Sequence, residues 1–477
     1  MKTIFRISLI VSALALPLCS CSDFLEKEPL SQGTEAIVFK TPEHFEQAAN
    51  ALYNMNGWKN LNGRGFEGSA VDQNTDINGL TSNGGGTVQE SDWHWDKPYS
   101  HIRTCNILLA KANEYDGNQE DIAQSVGTAY FFRAWQHFYL LQYFGGIPIV
   151  DHVLDVSDPV LFGVRNSRYE VIDFIASDLR LAIPLLPKEK DIPESDKGKV
   201  SKEAAKAFLA RVLLYEGTWE KYVPSINYDL DGDGKNDGAG SVKPDNYPSI
   251  TDMLTEAKQM AKEVIEEAQT GTFALWEECD TLSYYYLFNI DDKGGNISNF
   301  RNAGKSSNKE FIFYKKYDYD LARGGINLVH SVLSGYVTNM SAQFGESFLC
   351  RNGLPIRISY TGNMADAQNN PQFLGYETFV GEFRNRDYRF IGCCNSIPDR
   401  ISYAAQNPGR ERVDAILPYP TPVFPKNNEI FDSTDPVYSS ACAVFHPTIR
   451  NNSTMGTYSS RKFLIEGANR PVNTESA

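Results

Sequence analysis

Ten residues, Asp229 to Gly238, read DLDGDGKNDG. Asp229, Asp231 and Asp233 alternate with single residues, Gly234 supplies a sharp turn, Lys235 offers a carbonyl and Asp237 follows. Calcium takes roughly six to eight oxygen ligands, and a short flexible loop with acids at alternating positions can supply them. The residues match positions 1, 3, 5, 7 and 9 of such a loop. Gly240 stands at position 12, where an EF-hand needs a bidentate glutamate, and no pair of EF-type helices closely brackets the loop, so a calcium sensor is not expected. Two readings stay open: a structural Ca²⁺ site with ligands borrowed elsewhere, and a solvated turn in which Asp and Gly are good turn formers. Four carboxylates in nine residues repel one another without a cation, which favours the ion.

Sugar binding needs another mixture. A pyranose presents an apolar C–H face that stacks on flat aromatic rings, and its hydroxyls need amide and carboxylate partners. The stretch AVDQNTDINGLTSNGGGTVQESDWHW, residues 70–95, offers Asp72, Asn74, Asp76, Asn78 and Trp93 on an expected surface loop. A second cluster, LWEECDTLSYYYLFN at 275–289, holds Trp276, Tyr284, Tyr285 and Tyr286. For any one aromatic residue the ordinary role is core packing. Trp95 fits the start of a helix and is read as packing, and Trp135 and Trp219 as core.

Catalytic signatures are lacking. No pair of carboxylates is spaced for acid–base work on a glycoside; the nearest approach is Asp72 with Asp76, four apart. The seven histidines form neither H-E-x-x-H nor H-x-H, and His94 between Trp93 and Trp95 reads as a surface or packing residue. No G-x-S-x-G or phosphate-cradling loop occurs. A binding protein is expected, and no enzyme.

These residues must be held by elements. The 477 residues carry a formal charge of -15 and a pI near 5.0, which argues against nucleic acid as a partner. Lys2 and Arg6 precede the short apolar stretch Ile7 to Leu18, and Leu18-Cys19-Ser20-Cys21 resembles a bacterial lipobox, so Cys21 is the expected lipidation site. An ordinary signal peptide is the alternative. Cleavage removes two cations and no acid, leaving the mature chain more negative. Of the other six cysteines none makes a C-x-x-C pair, and buried free thiols are expected.

Thr41-Pro42-Glu43 reads as a helix start, with Phe45, Ala48, Ala49, Leu52 and Tyr53 on one face. Residues 56–92 read as a long loop. Helices are expected from near Pro98, over Asp121–Phe144, Arg168–Leu186, Ser201–Tyr215 and Met253–Ala268. AYFFRA (129–134) and KAFLAR (206–211) share small, aromatic and basic positions, a weak hint of TPR-like stacking. Beyond about residue 271, short β-prone runs such as EFIFYKKY (310–317) alternate with Gly, Asn and Pro.

Several stretches, in order, resemble the SusD/RagB family of outer-membrane lipoproteins. They are CSDFLEKEP (21–29), WDKPYSHIRTCNILL (95–109), GTAYFFRAWQHFYLLQYFGGIPIV (127–150), SRYEVIDFIASDLRLAIPLLP (167–187), GKVSKEAAKAFLARVLLYEGTWEKY (198–222), NKEFIFYKKY (308–317), RNGLPI (351–356) and NRDYRF (385–390). The resemblance implies a mainly α, TPR-like helical bundle with an irregular, loop-rich half of short strands. It implies a lipid-anchored, surface-exposed outer-membrane protein that binds oligosaccharide and delivers it to a SusC-like TonB-dependent transporter. The organisation it implies is a signal peptide at 1–20, a tether at 21–40, the helical part at 41–270 and the irregular part at 271–477, as one SusD-like domain. In this family a helical pair follows a segment such as SSRKFLIEG (459–467), whereas this sequence stops at Ala477; the closing helices are therefore expected to be missing. Family glycan sites vary with the sugar, so Asp72, Asn74, Asp76, Trp93, Trp276, Tyr284 and Tyr285 stand on their residue types alone. A TPR-like surface scaffold for proteins or peptides is the alternative function, with a secreted glycosidase further behind.

Overall fold

A computed structural model describes residues 39–53, 92–222, 243–278, 283–284, 287, 308–314, 339–340, 342–359, 368–375, 385–395 and 458–460. The chain divides into two compact units. The first comprises Met1–Tyr53, Lys97–Pro187 and Tyr215–Ile250; the second comprises Asn54–Asp96, Lys188–Leu214 and Thr251–Ala477. Among the described residues it is mainly α-helical.

In the first unit, α1 (Pro42–Leu52) starts at a proline, whose fixed φ suits the first helical position. Thr41 occupies the N-cap position, yet its side chain caps no backbone N–H. Its hydroxyl instead bonds the Glu43 carboxylate and holds that group below its usual value. Phe45, Ala49 and Leu52 are buried, and Phe45 meets Tyr115 edge-on at 5.2 Å. Next come α2 (Trp93–Glu114) and α3 (Gln119–Phe144). Asn118 caps α3 by accepting from the Glu120 N–H, and Gly145, at φ 70°, closes it by donating to the Leu141 carbonyl. Then α4 (Arg168–Leu185) opens with a capping box: Ser167 Oγ accepts from Glu170 N–H at 3.1 Å, and Glu170 accepts from Ser167 N–H at 2.7 Å.

Helix α3 is buried on nearly all sides and packs against both α1 and α4. Gly127 permits the close approach to α4, because a Cβ there would lie 3.0 Å from side-chain atoms of Leu185 and Leu186. Gly146 is tighter still: a Cβ would stand 2.4 Å from the Asn166 backbone oxygen. Asn166 in turn holds the chain leaving α3, donating to the Ile147 carbonyl at 3.1 Å and accepting from the Ile149 N–H at 3.0 Å.

In the second unit, α5 (Lys202–Tyr222, of which the part to Leu214 belongs here) is capped by Ser201, whose Oγ accepts from Ala204 N–H at 3.1 Å. Lys206 of α5 pairs with Glu263 of α6 (Ile250–Ala268) at 2.6 Å. Met253, Ala257 and Val264 form the buried stripe of α6. Further along, α7 (Ala342–Ser347) and α8 (Tyr388–Cys393) are short. Strands β1 (Asn339–Met340), β5 (Tyr458–Ser460) and β4 (Cys394–Asn395) pair antiparallel in that order. Strands β2 (Arg357–Ser359) and β3 (Gln368–Asn369) form a second antiparallel pair.

Two motifs far apart in sequence meet here. Arg351 of RNGLPI donates its N–H to the Asn385 carbonyl of NRDYRF at 2.7 Å, and Asp387 donates to Leu349 at 2.9 Å. Gly353 (φ 76°) makes the turn and Asn385 (φ 58°) adopts the left-handed region, which asparagine tolerates. Arg386 is buried; its guanidinium donates to the Phe348 carbonyl at 2.8 Å and lies over the Phe390 ring at 4.8 Å.

Several sequence expectations need adjusting. Helix α2 begins at Trp93 rather than near Pro98, because Asp92 caps it: its Oδ1 accepts from His94 N–H at 2.8 Å. Helix α5 runs past Tyr215 to Tyr222, and α6 begins at Ile250, three residues before Met253. Residues 308–314 form no strand, so the β reading of EFIFYKKY fails over that part. Trp135 and Trp219 are half-buried rather than core. Arg133 of AYFFRA is buried and Arg211 of KAFLAR is exposed, so the two look-alike stretches have unlike surroundings. Cys105 and Cys350 are buried free thiols, as expected.

Candidate functional site

Inside the first unit a polar network fixes the chain that leaves α3. Arg133 on α3 donates to both carboxylate oxygens of Asp178 on α4, each at 2.7 Å. Its Nη1 donates to Asn106 Oδ1 on α2 and to the Asp151 carbonyl, both at 2.8 Å. Asn106 Nδ2 donates in turn to the carbonyls of Val150 and His152. Burial pushes the Asp178 carboxyl above its usual value against the opposing pull of Arg133. Three helices thus converge on the backbone of residues 150–152 through one guanidinium and one amide.

His137 belongs to the same core and is fully buried. Its Nδ1 faces the Arg133 carbonyl at 2.8 Å and its Nε2 faces the Val150 N–H at 3.4 Å. A carbonyl accepts and an N–H donates, so the ring must carry its proton on Nδ1 and be neutral. Burial drives its pKa down to about 3. It is a packing histidine with no catalytic signature.

A second cluster in this unit joins aromatic rings, cations and carboxylates. Arg168 at the start of α4 donates to Glu216 on α5 at 2.6 to 3.0 Å and lies 4.1 Å over the Trp219 ring. One turn on, Glu220 accepts from Lys243 Nζ at 3.0 Å and from Tyr247 Oη at 2.9 Å. Lys243 sits over Tyr169 at 4.5 Å, and Tyr169 meets Tyr247 edge-on at 5.3 Å. Burial raises the Tyr247 phenol well above its ordinary value. Cations already cover the Trp219 and Tyr169 faces, so the cluster acts as a clasp holding 243–247 to α4 and α5. The sequence carried no signal of it: Lys243 and Tyr247 lie in an irregular stretch far from Tyr169.

Most sequence-predicted site residues fall outside the described residues. These are Cys21, Asp72, Asn74, Asp76 and Tyr285, together with the aspartate loop Asp229, Asp231, Asp233, Lys235 and Asp237. Trp93 forms the first residue of α2, and Trp95, two residues on, is half-buried with its N–H donating to Asp92 at 2.9 Å. Trp276 is only 4% exposed, and its backbone N–H donates to the Glu310 carboxylate at 3.0 Å. Stacking a sugar on Trp276 would require that ring to be uncovered. Tyr284 is half-buried. Among the described residues no group of three or more His, Cys, Asp or Glu could hold a metal ion, and no helix is long and apolar enough to cross a membrane.

Residues 23–214 match the family model SusD-like_3, described as "Starch-binding associating with outer membrane". A SusD-like protein of Bacteroides ovatus is 26% identical over 301 residues, covering 60% of this chain and 54% of the relative. SusD-like protein P2 of Formosa agariphila is 25% identical over 247 residues, covering 49% of this chain and 47% of the relative. The chain therefore spans about half the length of these curated relatives. Among solved structures, BT4246 aligns with a TM-score of 0.50 at 18% identity, over 75% of this chain and 65% of the other. That likeness concerns the fold alone.

Proposed function

We propose that the chain is a SusD-like surface lipoprotein that captures oligosaccharide and delivers it to a TonB-dependent outer-membrane transporter. The observation that carries this reading is the family match over residues 23–214, whose description joins starch binding with the outer membrane. The mechanism is binding and hand-over, with no bond made or broken. Cys21 carries the lipid, and the aromatic and amide side chains of 70–95, with Tyr284 and Tyr285, meet the sugar. The start of α2 at Trp93 supports part of this: the helix that follows residues 70–91 in sequence carries Asn106, which accepts from Arg133. A glycan array probed with the mature chain tests the reading: saturable binding to one glycan class is expected, and binding to none would overturn it.

Calcium at Asp229, Asp231, Asp233, Lys235 and Asp237 is proposed as a structural clip. The clasp of Lys243 and Tyr247 on Glu220 supports it by anchoring the chain just beyond that loop. Titration with Ca²⁺ should release heat and raise the melting temperature, both reversed by EGTA. No heat and no shift would remove the ion.

A further inference from the structure

The connection between α3 and α4 carries a histidine bonded unlike His137. His152 Nδ1 lies 2.6 Å from Asp151 Oδ1, and Nε2 lies 2.6 Å from Asp158 Oδ2. An ionised carboxylate only accepts, so both ring nitrogens must donate. Only the imidazolium has two N–H groups; a neutral ring turns a lone pair toward one of the carboxylates.

The two carboxylates belong to different parts of this connection. At its root, Asn106 and Arg133 hold the carbonyls of Val150, Asp151 and His152. Arg103 on α2 adds a long contact to the Leu154 carbonyl at 3.4 Å. At its tip, Asp155 Oδ1 accepts from the Ser157 N–H and hydroxyl, and Asp158 Oδ1 accepts from Val160 N–H at 3.0 Å. Asp158 thereby caps the 3₁₀ turn Pro159–Phe162. The tip displays Val156, Leu161, Phe162 and Val164, from 52% to 87% exposed. Asp158 is thus shared: one oxygen organises the tip and the other meets His152 of the root.

We propose that His152 is a protonation-dependent latch, whose imidazolium holds the 155–164 tip to the anchored 150–152 root and whose loss of one ring proton loosens it. The charged groups facing the ring are Asp151 and Asp158, with Asp155 beside Asp158; Arg103 and Arg133 reach backbone carbonyls of the same segment. Hydrogen bonds from Asp151 first and Asp158 second hold the imidazole above the usual histidine value. The two-sided bridge is therefore complete below that raised midpoint, and it loses its charge and one of its two donors as pH rises through it. The ring is half-exposed, so added salt weakens the latch.

Amide hydrogen exchange of the full chain tests this, read at Val160 and Leu161 across the range in which histidine titrates and corrected for intrinsic pH dependence. The His152 midpoint is followed in parallel by histidine ring NMR, its signal identified by loss in His152→Gln. In the wild type, exchange at both amides should rise severalfold through the His152 midpoint. His152→Gln should exchange fast throughout, and His152→Arg, which keeps two donors at every pH, should stay slow. A flat wild-type profile through that midpoint, or a midpoint at or below the ordinary histidine value, would overturn the proposal. The wild-type measurement stands even if a variant folds poorly.

Discussion

His137 and His152 lie fifteen positions apart and obey one rule with opposite outcomes. His137 faces one acceptor and one donor and must be neutral; His152 faces two acceptors and must be charged. For His137 the folded pKa near 3 lies below the unfolded value of about 6.5. Below the latter the unfolded chain takes up a proton that the folded chain excludes, so stability falls with falling pH by about 1.4 kcal/mol per unit at most. Urea midpoints measured from neutral to mildly acid pH should show a shallower acid slope in His137→Gln than in the wild type. Equal slopes would assign the acid sensitivity elsewhere. Arg133 and Asp178 are coupled more tightly. Arg133→Met strands a buried carboxylate and should cost about 3–5 kcal/mol, while the Arg133→Met/Asp178→Leu pair should cost less than the single change. Thermal or urea unfolding of both variants checks the order.

At the scale of elements, most helices were legible because their punctuation is local. Ser167 with Glu170 forms a capping box, Ser201 caps α5, and Gly145 ends α3. In the sequence Pro98 marks a helix start, whereas the side chain of Asp92 caps α2 a turn earlier. Pro98 sits inside α2 at its sixth residue, where a proline lacks the N–H for an i→i−4 bond, and the helix nevertheless continues to Glu114. The contacts that set how α2, α3 and α4 meet were not legible. Arg133 and Asp178 are 45 residues apart, and no periodicity links them. Gly146 is another such case: a glycine beside a helix end reads as a C-cap, whereas its real constraint is the Asn166 backbone oxygen. Because that neighbour is backbone and cannot swing aside, Gly146→Ala should destabilise by about 2 kcal/mol or more, measured as a lowered urea midpoint. An unchanged midpoint would mean that the connection shifts freely.

For the whole molecule, the acidic charge speaks against nucleic acid as a partner. The order of family-like stretches indicated its class, and the match over residues 23–214 agrees. The glycan residues were far less legible, because stacking aromatics follow no fixed spacing and core aromatics look the same in sequence. Trp276 illustrates this: its neighbours looked like a binding cluster, yet its ring is buried. Trp93 is the stronger candidate. Once an array has identified a glycan, titration calorimetry of that oligosaccharide with the mature wild-type chain and with Trp93→Ala tests the central claim most directly. The wild type should bind saturably, and the variant about tenfold more weakly through loss of one aromatic contact of roughly 1–1.5 kcal/mol, with an unchanged melting temperature. No binding by the wild type to any oligosaccharide, together with binding to a peptide, would contradict it.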